Sequence, residues 1–292
     1  MASKSGTEVV EEGSVAMETP SLLRADRDLD LLARPELRSV RLGLEYLKPE
    51  LAFNEMDVRH TVVVFGGGRL EEPCKAQRSL DEARRAADAN GANPKFEAAV
   101  RAAERALEHS RFYTIGREFG RLVAGHQPDR RDGRIAIMTG GGPGGMEAAN
   151  RGALEAGGLS IGLNIMLPEE QRPNGYLTPE LSFEFRYFAI RKLHFMLRAR
   201  ALVALPGGYG TLDELFGTLC LVQTGRREQL PVILVGEAFW RRVVDLDFLA
   251  EQGMVGPGDP DLVSFAETAD EIWQAIHGWY EDRGQTLSGA AR

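Results

Sequence analysis

The chain has 292 residues, of which 43% are hydrophobic and 27% charged, the make-up of a globular protein large enough for one sizeable α/β domain plus an extension. A formal net charge of −8 excludes the extended basic field that a nucleic-acid polymer would need, and leaves room only for a local phosphate site. Two cysteines, Cys74 and Cys220, lie far apart without paired metal spacing, which excludes a disulfide framework and a zinc site; with no apolar run of ~18 residues and no apolar signal core in the acidic start, a cytoplasmic protein with no membrane partner is expected.

In chain order, residues 1–20 are small, polar and acidic, and are expected to be a disordered tail. Residues 21–60 read as a helical N-terminal extension. Within it, Leu37, Val40, Leu44 and Leu47 predict an amphipathic helix from Pro35 to about Leu51, packed on the main domain or on a second subunit. The main domain is expected over 61–284. It opens on Thr61–Phe65, a β-branched strand that runs into Gly66-Gly67-Gly68. Two helical blocks follow, about 77–90 and 95–125, divided by NGANP.

Arg134–Met138 predicts the next strand, followed by the glycine-rich stretch 139–145 and a helix from Met146 to about Ala156. Ser160–Leu167 reads as a strand, and the turn-rich PEEQRPNGYLTPE is a loop long enough to reach over a site. Then come Leu181–Phe185, a helix over about 186–200, a strand over 201–205 and a third glycine turn, Pro206-Gly207-Gly208-Tyr209-Gly210. Thr211 stands where an N-cap should, and Leu212, Leu215, Phe216 and Leu219 mark one face of a helix. Leu230–Val235 is a further strand, Glu237 to about Glu251 a helix, and Thr268–Tyr280 a last amphipathic helix. Residues 285–292 read as a flexible tail.

Strands alternating with helices predict a Rossmann-like, doubly wound parallel sheet with helices on both faces, in which ligands bind at the carboxyl ends of the strands. The three glycine turns, at 66–68, 140–145 and 206–210, would all line that rim. A glycine turn running into a helix N-terminus lets backbone N–H groups and the helix dipole approach an anion, which makes it a phosphate cradle. Gly140, Gly142 and Gly145 satisfy GxGxxG, but the acidic residue a dinucleotide ribose needs is missing from the end of the next strand. No Lys-Ser/Thr pair follows these glycines, so they are no P-loop either.

Glu214 has two readings. It completes Thr211-x-x-Glu214, a capping box, and it is also a carboxylate in the first turn beside a phosphate cradle, placed to activate water or to stabilise an oxocarbenium-like sugar. Tyr187, Arg191, His194 and Arg198 share one helical face. Arg191 suits a phosphate or ribose-phosphate oxygen and Lys192 adds charge beside it, while His194 reads as a packed residue and the whole face could equally be solvated. Lys192 is the one lysine in the glycine-turn half, so a pyridoxal-phosphate aldimine would have to form there. Nothing else in the sequence supports one.

TGGGPGGMEAANRGA at 139–153, RK at 191–192 and PGGYGTLDE at 206–214 resemble the LOG ("lonely guy") family, whose members were long labelled lysine decarboxylases. The similarity runs from about Thr61 to Tyr280, and GLNIMLPEEQRPNGYLTPEL at 162–181 is similar to its longer bacterial branch. The resemblance implies hydrolysis of nucleoside 5′-monophosphates, AMP or cytokinin riboside monophosphates among them, to free base and ribose 5-phosphate. It implies neither cofactor nor metal, and a homodimer with the site near the subunit interface. Position by position, it makes Glu214 the catalytic glutamate and Arg191 the essential arginine beside Lys192. Gly207, Gly208, Gly210 and Thr211 become the phosphate-binding turn, and Gly141, Gly142, Gly144 and Gly145 the turn facing it. The first turn, FGGGR, lacks the serine common in the family. A resemblance to molybdenum-cofactor carriers on the same fold leaves a non-catalytic nucleotide or cofactor carrier as the alternative.

Overall fold

The computed structural model describes residues 22–91, 93–127, 132–166 and 172–288. The expected disordered tail at 1–20 and the PEEQ stretch of the loop at 168–171 lie outside them. Contacts divide the chain into two units at Leu44/Glu45. The first unit holds helix α1 (Leu29–Ala33), capped by the Asp28 carboxylate on the Leu31 N–H at 2.8 Å, then a 3-10 turn at Pro35–Leu37 and the first turns of α2 (Arg38–Glu55). None of its described residues is buried. Of the predicted apolar stripe, Leu47 is 50% exposed, and the buried residues of α2 are Pro49 and Phe53.

In the second unit, β1 (Val58–Phe65) leads to α3 (Pro73–Asn90) and the long α4 (Pro94–Gly125), each with proline in its first turn where the missing N–H costs nothing. Then follow β2 (Arg134–Thr139), α5 (Gly145–Glu155), β3 (Leu159–Ile165), β4 (Ser182–Phe185), α6 (Phe188–Leu197), β5 (Ala199–Ala204) and α7 (Tyr209–Gln223). The chain ends with β6 (Val232–Val235), α8 (Glu237–Val243), α9 (Leu246–Glu251), β7 (Val263–Ala266) and α10 (Ala269–Glu281).

All seven strands are parallel, in the order β4-β3-β2-β1-β5-β6-β7. Helices cover both faces, so the fold is the Rossmann-like, doubly wound sheet the alternation predicts. Burial on both faces explains why β1 reads as a continuous apolar run. Val62 and Val64 face a core with Phe119 of α4 and Ile272 of α10, while Val63 and Phe65 face one with Phe195 of α6 and Leu215 of α7. Each of the four fully buried valines of β1 contributes about 1.5–3 kcal/mol by leaving water.

Three details differ from the expectation. Strand β7 is not among the expected elements; its four residues pair with β6 at the sheet edge. The single helix expected over 237–251 is two, because the Asp245 carboxylate accepts the Phe248 N–H at 2.9 Å and caps a fresh start. Of the tail expected to be flexible, residues 285–288 are held: Leu287 is 2% exposed and Arg200 donates to its carbonyl at 2.9 Å.

Candidate active site

The chain winds outward from β1 through β2, β3 and β4, then crosses back to β5 on the other side of β1. The reversal opens a crevice at the carboxyl ends of β1 and β5, where doubly wound sheets take ligands. The three glycine turns meet there. Gly67 donates its N–H to the Pro206 carbonyl at 3.0 Å and accepts the Gly145 N–H at 3.1 Å, so the first turn ties the other two together. Gly144 sits at φ 74°, in the left-handed region, and a Cβ there would collide with the Gly67 carbonyl and the Gly68 backbone.

A buried polar network supports the second turn. The Thr139 hydroxyl accepts the Gly141 N–H at 2.9 Å and donates to Asn150 Oδ1 at 2.7 Å. Asn150 Nδ2 donates to Ser160 Oγ at 2.8 Å. Asn174 Nδ2 reaches the carbonyls of Gly141 and Gly142 and Asn150 Oδ1 at 3.0–3.1 Å. Thr139, Asn150 and Ser160 are fully buried, and every side-chain polar atom of this set is paired, the condition under which a buried network stiffens its surroundings. Sequence reasoning missed this set. Its signal was Asn150, a polar residue on the stripe Met146, Ala149, Asn150, Ala153 that α5 turns inward.

The third turn is built otherwise. Helix α7 starts at Tyr209 with Gly208 as N-cap and no side-chain cap, so the expectation of Thr211 as N-cap is corrected. Thr211 is buried within the first turn, against Gly207, because the helix already begins where the glycine backbone can bend. Its capping box with Glu214 does not form. The half-buried Glu214 carboxylate accepts no hydrogen bond from any described residue, and the first N–H groups of α7 have no intrahelical partner. Burial pushes the Glu214 carboxyl above the ordinary carboxylate range, while Lys192 and Arg191 pull it back in part.

Arg191 projects from α6 and donates through Nε to the Leu163 carbonyl at 2.7 Å, with its guanidinium 5.1 Å from the Phe195 ring centroid. Burial lowers its pKa and Glu214 raises it; a guanidinium stays charged throughout. Lys192 is engaged by Asp213 at 2.6 Å. The other polar residues of α6 are not a solvated face. His194 is 1% exposed, packed among Tyr46, Phe53 and Phe185, and Arg198 pairs with Glu50.

A cavity of about 270 Å³ brings Arg191, Gly208, Gly210, Thr211 and Glu214 together with Gly66, Gly67, Gly68 and Gly140. Phe65, Met146 and Phe188 give it an apolar side, which the motif reading had not included. The remaining predicted ligands, Gly141, Gly142, Gly144, Gly145, Gly207 and Lys192, do not line it; they stand behind the lining, in the interlock of the turns and the ion pair with Asp213. A larger cavity of about 420 Å³, floored by Leu215, Trp240 and Phe265, contains none of the predicted residues. No cluster of three metal-ligating side chains occurs among the described residues.

Fold and crevice define a doubly wound α/β protein in which an uncapped helix N-terminus shares a cavity with a half-buried carboxylate and arginine. The family model described as "possible lysine decarboxylase" matches residues 146–276. A cytokinin riboside 5′-monophosphate phosphoribohydrolase of Arabidopsis thaliana is 29% identical over 145 residues, covering 47% of this chain and 65% of that protein. Another Arabidopsis thaliana enzyme of the same name is 28% identical over the same length and shares. Over these stretches the chain is similar to members of the LOG family. It spans just under two thirds of the length of these relatives. A molybdenum-cofactor carrier protein from Chlamydomonas reinhardtii is similar in structure, with 21% identity, a TM-score of 0.44, and coverage of 77% of this chain and 99% of that one. A likeness of that degree bears on neither ligand nor activity.

Proposed function

We propose that the chain is an N-ribohydrolase that cleaves nucleoside 5′-monophosphates, AMP or a cytokinin riboside monophosphate, into free base and ribose 5-phosphate. The observation that carries the reading is Glu214, a half-buried carboxylate with a raised pKa and no hydrogen bond, in one cavity with Arg191 and the open glycine turn of α7. The activity for which the Arabidopsis relatives are named supports it.

The chemistry follows from the parts. The 5′-phosphate takes the N–H groups at the start of α7 and the Arg191 guanidinium, and the base lies toward Met146 and Phe188. Holding the phosphate orients the ribose, which supplies several kcal/mol toward the barrier through a contact remote from the bond that breaks. As the C1′–N bond lengthens, positive charge grows on the sugar and the Glu214 carboxylate stabilises it. Glu214 then takes a proton from the water that adds to C1′, and the base leaves with the bonding pair and a proton from solvent. Lys192 does not suit a carbonyl cofactor, since Asp213 already holds its ammonium outside the cavity lining. In this reading the protein is cytoplasmic, where its substrates are, and works as a homodimer with the cavity near the subunit boundary. The exposure of Phe188 (53%) and of Tyr209 (92%), between Gly208 and Gly210, supports that assembly.

The test is incubation of the purified chain with AMP, GMP, CMP, UMP and a cytokinin riboside monophosphate, following base and ribose 5-phosphate beside Glu214→Gln. Base release is expected to fall by at least about a thousandfold in the variant while AMP binding persists. Because burial raises the Glu214 pKa, the acid limb of activity is expected above pH 4.5, its ordinary value. The sign for stability is opposite: a raised carboxyl pKa means that ionisation opposes folding. Glu214→Gln is therefore more stable than the parent near neutral pH, and the gain fades as pH falls through the raised pKa toward 4.5 and is gone below it. Tight nucleotide binding without release would make the protein a carrier.

A further inference from the structure

Helix α6 carries Arg191, yet no side chain of its own caps its start. The two oxygens of the Glu45 carboxylate, on α2, do so instead. They accept the N–H groups of Arg186 at 2.9 Å and Tyr187 at 3.2 Å, across 141 and 142 residues of chain. The Tyr187 carbonyl in turn accepts the backbone N–H of Arg191 at 3.2 Å, and the Arg191 side chain is anchored to Leu163. Two consecutive hydrogen bonds therefore lead from Glu45 to the Arg191 backbone, and a third holds its guanidinium on β3. At the far end of α6, Arg198 is held by Glu50, Asn54 and the Val58 carbonyl. Between these ties His194 stacks on Tyr46 at 5.4 Å.

We infer that Glu45 is a positioning residue for Arg191: by fixing the backbone at the entry of α6 it sets where the guanidinium stands in the cavity. The inference rests on the reading of Arg191 as a ligand of the nucleotide phosphate. A carboxylate at a helix N-terminus also satisfies the dipole there. Glu45 thus sets a negative charge at the start of α6, while no side chain caps the start of α7. A displacement of about 1 Å in such a group is enough to weaken both binding and turnover.

The experiment compares the full chain with Glu45→Ala, Glu45→Gln and, as a control on the same helix, the exposed Glu55→Ala. AMP affinity is read by calorimetry, KM and kcat by base release, and the exposure of Arg191 by its rate of modification with phenylglyoxal, mapped by mass spectrometry. Glu45→Ala is expected to weaken AMP binding and raise KM roughly fivefold to tenfold. Modification of Arg191 should be several-fold faster, and the acid limb that reports Glu214 should not move. Glu45→Gln, which keeps an acceptor, should recover part of the loss, and Glu55→Ala should match the parent. Unchanged affinity and unchanged Arg191 modification in Glu45→Ala would overturn the inference, as would an equal loss in Glu55→Ala. If Glu45→Ala does not fold, Glu45→Gln decides by the same readouts. A parent that releases no base refutes the nucleosidase reading, while Arg191 modification still judges Glu45.

Discussion

The second and third glycine turns look alike in sequence, since both follow a strand and open a helix, but they are built for opposite ends. Gly144 and Gly145 are pressed against the first turn, and Thr139, Asn150 and Asn174 fasten the backbone around them. Gly208 and Gly210 have no neighbour within reach of a Cβ and line the cavity. A glycine is needed in the one place because two backbones approach, and in the other because a ligand would. Spacing alone does not separate these two uses; contacts do.

Substitutions can break or sharpen this contrast. Gly144→Ala forces a side chain into a left-handed backbone position and into the Gly67 carbonyl, and is expected to cost at least about 3 kcal/mol in denaturant unfolding. Asn150→Ala leaves the Thr139 and Ser160 hydroxyls and the Asn174 amide short of partners. A loss of about 2–4 kcal/mol is expected by the same measurement, with the second turn as the region whose amide exchange rises most. Gly210→Ala has the smallest effect on the fold. In the first turn of α7, with open space around it, alanine should raise stability by up to about 1 kcal/mol while weakening AMP binding several-fold. Lost stability with unaltered binding in that variant would place the third turn in the same structural class as the second.

The sheet and its rim were legible because buried parallel strands are written as apolar runs and their turns as glycines. Leu230–Val235 and Arg134–Met138 needed no tertiary information to be read. Strand β7 was not legible: VSFA is four residues long, and pairing along one edge makes it a strand. The start of α7 was misread because Thr211 is a good cap by type, whereas the backbone of Gly208 was already free to begin the helix. The cavity-lining set Arg191, Gly208, Gly210, Thr211 and Glu214 came from motif and resemblance, and the structure brings those residues together. Glu45 left no local trace, because its partners lie 141 and 142 residues away and a lone glutamate on an amphipathic helix looks like any solvated charge.

The central place of β1 has a consequence for synthesis. Its edge toward β2 can pair as soon as residue 139 is available, but the other edge has no partner until β5, which begins at Ala199. At translation rates of roughly 5–20 residues per second, that leaves the run Val62-Val63-Val64-Phe65 with one open side on the order of ten seconds. An unpaired, β-branched edge is a template for other chains. A nascent chain stopped before β5 is thus an aggregation hazard, because its central strand must wait for the latter half of the chain.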